Sequence, residues 1–148
     1  NLECESLDSQ FSWGMTTGFD ADLLEVANSV PPLIGQGFFV DQVNDVADLE
    51  FDFVAATDLL TFSFFFVSQE FSGYKNTQFN DVFAFFVSGP GINGPYSGNS
   101  ANVAFVPDSD PALPITVSSV NMGTNADVFA GYNELVCGHG VTTLIPIV

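Results

Sequence analysis

Between residues 49 and 87 lie three strand-like runs, the first with apolar and polar side chains recurring at a period of two, and these limit the available folds more than any other feature. Leu49-Glu50-Phe51-Asp52-Phe53-Val54 alternates cleanly, which predicts a strand with one buried and one wet face. In Leu60-Thr61-Phe62-Ser63-Phe64-Phe65-Phe66-Val67 the alternation fades as Phe65 joins its aromatic neighbours. Asp81-Val82-Phe83-Ala84-Phe85-Phe86-Val87 is apolar on both faces, as expected of a middle strand covered on both sides. Shorter strand-like runs follow at residues 103–106, 115–120 and 142–145. Glycine- and proline-rich turns at residues 89–95 and 107–111 separate them. Helix signals are scarce. Asp20 is placed to cap one short helix near residues 20–28, ending before Pro31-Pro32. The expectation is an all-β chain, a β-sandwich of mainly antiparallel strands with one short helix, forming a single domain over residues 1–148. The 17 phenylalanines are expected to supply much of its core.

Charge narrows the function classes. Eighteen acidic residues face one base, Lys75, for a formal net charge of −17. Such a surface repels nucleic acid and anionic membranes, so neither is an expected partner. No apolar run approaches the roughly 20 residues of a spanning helix, so membrane insertion is not expected either. With one base available, the carboxylates have two physical outlets. They stay solvated, or some of them gather around a cation, for which calcium is best suited to an all-oxygen site.

One segment concentrates the right groups. Glu70 stands at the exit of the strand ending near residue 68, and Asn80 and Asp81 stand at the entry of the next. If those strands are neighbours, the oxygens of Glu70, Asn80 and Asp81 converge on one edge. Calcium takes about 6–8 oxygens, so backbone carbonyls, water, or Asp20 and Asp22 would have to complete the shell. A solvated hairpin end is the alternative.

Catalytic patterns are missing from the sequence. The single histidine, His139, lies between Gly138 and Gly140 and reads as a turn residue. There is no nucleophile elbow and no phosphate-binding glycine loop. A pair of carboxylates for glycoside hydrolysis is the one enzymatic alternative, because sequence does not give their separation. Cys4 and Cys137 lie near opposite ends. Paired, they would close most of the chain into one loop, worth about 4–5 kcal/mol in the chain-entropy account, and would imply an oxidising compartment. Two buried free thiols is the alternative.

The stretch Phe79-Asn80-Asp81-Val82-Phe83-Ala84-Phe85-Phe86-Val87-Ser88-Gly89-Pro90-Gly91-Ile92 resembles the signature of the choice-of-anchor L domain, found in secreted and cell-surface proteins of bacteria. Leu49-Glu50-Phe51-Asp52-Phe53 followed by Leu60-Thr61-Phe62 is similar to a second family stretch, and Val67-Ser68-Gln69-Glu70-Phe71 to a third. Further matches are Thr17-Gly18 with Asp20-Ala21-Asp22-Leu23, Asn102-Val103-Ala104, Pro114-Ile115-Thr116-Val117 and Val120-Asn121. The resemblance implies a non-catalytic extracellular β domain. A more distant similarity runs to the calcium-dependent peptide-binding domains of RTX adhesins, which would make Glu70, Asn80 and Asp81 metal-linked. Gln69 stands where the family has an acid. The chain also lacks strand-forming stretches the family has at either end, which predicts missing terminal strands.

These readings predict a secreted or cell-surface, non-enzymatic adhesion or surface-structure module stabilised by calcium, binding a protein, peptide or glycan. The rival is a self-assembling filament or matrix subunit, its apolar segment at residues 142–148 pairing into a neighbour. The rival from another class is a carbohydrate-active enzyme working through two acids.

Overall fold

The computed structural model describes residues 19–133 and 139–147. Cys4 and Cys137, with the disulfide expected between them, lie outside the described residues, as does the Thr17-Gly18 match. The described fold is all-β and sandwich-like, made of short antiparallel strands with a single α-helix.

The helix, α1 (Ala21–Leu33), starts where its cap predicts: the Asp20 carboxylate accepts a hydrogen bond from the Leu23 N–H at 2.9 Å. It runs through Pro31 and Pro32 instead of stopping before them. A proline ring fixes φ near the helical value, and in the last turn its lost N–H leaves only the carbonyls one turn earlier without their usual donor. Gly35, at φ +68°, ends the helix, and the Gln36 N–H closes back on the Pro31 carbonyl at 2.8 Å. Val26, Ala27 and Val30 are fully buried on its inner face. The next stretch is held by Asn28, whose amide both donates to the Val40 carbonyl and accepts from the Val40 N–H, each at 2.9 Å.

Among the described residues nine short strands follow: β1 (Phe62–Phe64), β2 (Val67–Ser68), β3 (Val82–Phe83), β4 (Phe86–Val87), β5 (Ala101–Asn102), β6 (Ile115–Thr116), β7 (Phe129–Asn133), β8 (His139–Thr142) and β9 (Ile145–Ile147). β1 pairs with β9, bringing Phe62 opposite Ile147 and Phe64 opposite Ile145. β2 pairs with β8, with Ser68 opposite Gly140. Thr142 joins the two ladders: its N–H donates to the Phe66 carbonyl at 3.0 Å, and its hydroxyl accepts from the Phe66 N–H at 2.9 Å. β8 is covered on its other side by β7, whose register shifts between Phe129 and Gly131. Gly131 takes φ +106° there, a conformation that L side chains rarely adopt.

The second group of strands runs β3 with β6 and β4 with β5. The two groups meet through aromatic rings. Phe62 lies 4.3 Å from Phe85, and Phe64 stacks on Phe83 at 4.3 Å, so residues 62–64 and 83–85 face each other in antiparallel sense.

The core is mostly aliphatic. Val30, Val106, Leu113, Ile115, Val117, Val120, Val128 and Ile145 make its body, and the phenylalanines in it are Phe66, Phe71 and Phe129. Phe19, Phe39, Phe51, Phe53, Phe65 and Phe79 are exposed. The expectation of a phenylalanine-built core fails because runs such as 62–66 put neighbouring rings on opposite faces, and only one face is covered. Residues 49–54 fail more sharply as a strand. They have no ladder partner among the described residues, and Leu49 is 85% exposed. β7 carries no clear strand signal in sequence because Ala130, Gly131 and Asn133 dilute Phe129 and Tyr132. His139 belongs to β8, opposite Asn133, and is not a turn residue.

Candidate functional site

The polar segment between β2 and β3 brings Glu70 and Asp81 to one end of the fold. β2 delivers Ser68, and a single turn of tight helix, Glu70–Ser72, follows at once. That turn is anchored by Phe71, which is buried between the rings of Phe66 at 5.7 Å and Phe129 at 4.9 Å. Phe71 also lies directly over Gly140, where an added Cβ would run into the ring. Burial of one aromatic therefore fixes where the Glu70 carboxylate emerges.

The Ser68 hydroxyl ties the two acids together. It donates to Asp81 Oδ2 at 2.5 Å and accepts from the Glu70 backbone N–H at 2.9 Å. Asp81 is exposed as a residue, while its carbonyl accepts from the Val117 N–H at 3.1 Å at the start of the β3–β6 ladder. Asn80 is buried, and its Oδ1 accepts from the Ser118 N–H at 3.1 Å. The Ser118 hydroxyl in turn accepts from the Asn76 N–H at 2.8 Å, so residues 76–81 are pinned to the turn after β6.

Two buried polar atoms here have no hydrogen-bond partner: Glu70 Oε2 and Asn80 Nδ2. Glu70 responds as an acid taken out of water beside a like charge. Burial first, and the Asp81 carboxylate second, push its pKa up to about 7. Near neutral pH Glu70 therefore exchanges a proton readily, and anything carrying positive charge or a proton to Oε2 relieves both causes.

Asp20 and Asp22 are engaged elsewhere. Asp20 caps α1, and Asp22 Oδ2 accepts from the Ser97 N–H at 3.0 Å, near Tyr96. Among the described residues no group of three or more His, Cys, Asp or Glu is placed to hold a metal ion. A cation at the Glu70–Asp81 end would thus draw two carboxylates from the protein and the rest of its oxygens from carbonyls and water. Asn80 Oδ1 already receives one hydrogen bond, which leaves one lone pair.

Sequence reasoning missed the serines. Ser68 and Ser118 are both buried and hold the site's backbone, yet a lone serine in a strand or turn carries no periodic signal. The family-like asparagines are structural. Asn102 Oδ1 accepts from the Phe85 and Ala104 N–H groups. Asn121 donates to the Val117 and Ser118 carbonyls and accepts from the Gly123 and Thr124 N–H groups.

The choice-of-anchor L domain model matches residues 5–144, nearly the whole chain. The chain belongs to the choice-of-anchor L domain family. It is a family of surface-associated domains of secreted or cell-surface proteins and not a known enzyme family. No curated protein and no solved structure matches the chain. No helix among the described residues is long and apolar enough to cross a membrane.

Proposed function

We propose that this choice-of-anchor L domain is a non-enzymatic adhesion or surface-structure module whose Glu70–Asp81 end takes up calcium. The observation that carries the metal reading is the buried, unpartnered Glu70 Oε2 set beside a second carboxylate. A divalent cation between Glu70 and Asp81 would remove their mutual repulsion and give Oε2 a partner, and hard oxygen donors favour calcium. With only two carboxylates from the protein, such a site is of the weak kind suited to calcium-rich extracellular fluid. Its effect is mechanical: a bound ion would lock the exit of β2 to the entry of β3.

The filament reading has less support in its original form. Of residues 142–148, the segment expected to pair into a neighbour, Thr142 is paired with β7 and Ile145–Ile147 with β1 of the same chain. The test is thermal melting in calcium against chelator. A calcium-dependent rise in Tm is expected, since a ligand bound only by the native state stabilises it. Asp81→Asn and Glu70→Gln should each abolish the rise. A rise that survives both substitutions, or none at millimolar calcium, overturns the metal reading.

A further inference from the structure

Residues 48–54 carry a docking signal that nothing in the fold uses. Leu49, Phe51 and Phe53 alternate with Asp48, Glu50 and Asp52, the pattern of a strand with one apolar and one charged face. Yet Leu49 is 85% exposed, Phe51 57% and Phe53 47%, with the two rings 6.2 Å apart. None of these residues makes a backbone hydrogen bond among the described residues. Free N–H and C=O groups beside uncovered aromatic rings form a template for an added strand.

Charge selects the occupant. Asp45, Asp48, Glu50, Asp52 and Asp58 lie in or beside the segment, and the whole chain offers one base, Lys75. A second copy would set carboxylate against carboxylate across the new ladder, where directly opposed like charges destabilise. Its net charge of −17 adds long-range repulsion. A strand alternating lysine or arginine with valine, isoleucine or phenylalanine would meet acids with bases on one face and cover the rings on the other. We propose that residues 48–54 are a β-addition site for an extended, basic-apolar alternating segment of another protein. The site is independent of the Glu70–Asp81 cation reading, because it uses different residues and no metal.

The probe is a synthetic peptide alternating lysine and valine, labelled for fluorescence anisotropy and titrated with the full chain in chelator. Three controls accompany it: a peptide of the same composition with its lysines in one block, an alternating glutamate–valine peptide, and the lysine peptide N-methylated at alternate amides. The alternating lysine peptide is expected to bind at least about tenfold more tightly than each control and to weaken as salt shortens the Debye length. Glu50→Lys combined with Asp52→Lys, both exposed positions, should reverse the preference toward the glutamate peptide. Amide exchange of residues 48–54 should be fast in the free chain and slow at least tenfold with peptide bound. Equal binding of the blocked peptide overturns the proposal in favour of diffuse charge attraction. Slow exchange in the free monomer overturns it by showing that this chain covers the segment itself. Protection that grows with protein concentration, matched by a dimer in sedimentation, overturns it in favour of a second copy.

Discussion

Replacing Glu70 by glutamine should change the pH dependence of stability in a direction the site fixes in advance. In the folded chain burial and Asp81 lift the Glu70 pKa from 4.5 to about 7. The folded state therefore holds this proton more tightly than the unfolded state. The resulting stabilisation is full below the unfolded value near 4.5 and is lost as pH rises through about 7. At about 1.4 kcal/mol per pH unit that displacement has a ceiling of about 3.4 kcal/mol. Glu70 is only partly buried, and solvent screening reduces the figure to about 1–2 kcal/mol. Glutamine keeps the shape of the protonated acid and never ionises. Urea denaturation in chelator, from pH 5 to 8.5, should thus show Glu70→Gln gaining about 1–2 kcal/mol on the parent as pH rises, against a small difference at pH 5. Taking the difference cancels the titration of carboxylates that do not interact with Glu70. A difference that stays flat across this range, or that runs against glutamine at high pH, would refute the claim that Glu70 is strained when ionised. In calcium the high-pH advantage of glutamine should shrink or invert, since a cation stabilises the ionised acid.

Other substitutions test the frame around the site. Gly140→Ala drives a Cβ into the buried Phe71 ring; it should cost about 1–3 kcal/mol by chemical denaturation and shift the Glu70–Ser72 turn in NMR spectra. Asn121→Ala removes the buried amide's hydrogen bonds to the Val117 and Ser118 carbonyls and from the Gly123 and Thr124 N–H groups at the edge of the turn, and should lower stability by about 1–3 kcal/mol in urea titrations. Ile115→Ala, at a fully buried position in β6, should cost about 2–5 kcal/mol, whereas Leu49→Ala at its exposed site should leave Tm nearly unchanged.

How far the sequence disclosed this molecule depended on where each signal had its physical origin. The helix start was legible because a cap is a local device, one carboxylate meeting one N–H three residues on. Its end was not, because a proline aversion summed over a helix interior says little about the last turn. Period-two alternation located β1, where Phe62 and Phe64 are half-buried and Ser63 is exposed, whereas the unbroken apolar run at 81–87 holds two short half-buried strands, β3 and β4, and not one strand covered on both sides. The same alternation misplaced residues 49–54, because periodicity reports the preference for a partner and not the partner's presence. The Glu70–Asp81 approach was expected from pairing of the two flanking strands, but β2 pairs with β8 and β3 with β6, and the acids are joined through Ser68 instead. The hydroxyl that joins the acids and the ring that positions Glu70 depend on contacts across Phe66, Phe129 and Gly140, far apart in the chain. A core of valines and isoleucines beneath exposed phenylalanines was hidden for a related reason. Hydrophobicity ranks residues for burial, but facing decides which are buried.

The acidity that argues against nucleic acid and anionic membranes as partners also bears on the character of the two sites proposed above. A chain with 18 acids and one base cannot neutralise crowded carboxylates from within. Where two of them meet with one partly buried, as at Glu70 and Asp81, a proton relieves the charge, as would the small cation proposed above. Where acids lie in an open row, as at Asp48, Glu50 and Asp52, the spacing of an extended chain suits a row of basic side chains better than a point charge. The two modes therefore separate by ion. Millimolar calcium should compete weakly with a basic peptide at residues 48–54 but saturate the Glu70–Asp81 end, whereas raised sodium chloride should weaken the peptide first. If calcium displaced the peptide at the concentration that raises Tm, the two acidic regions would be one site, and the division drawn between them would be wrong.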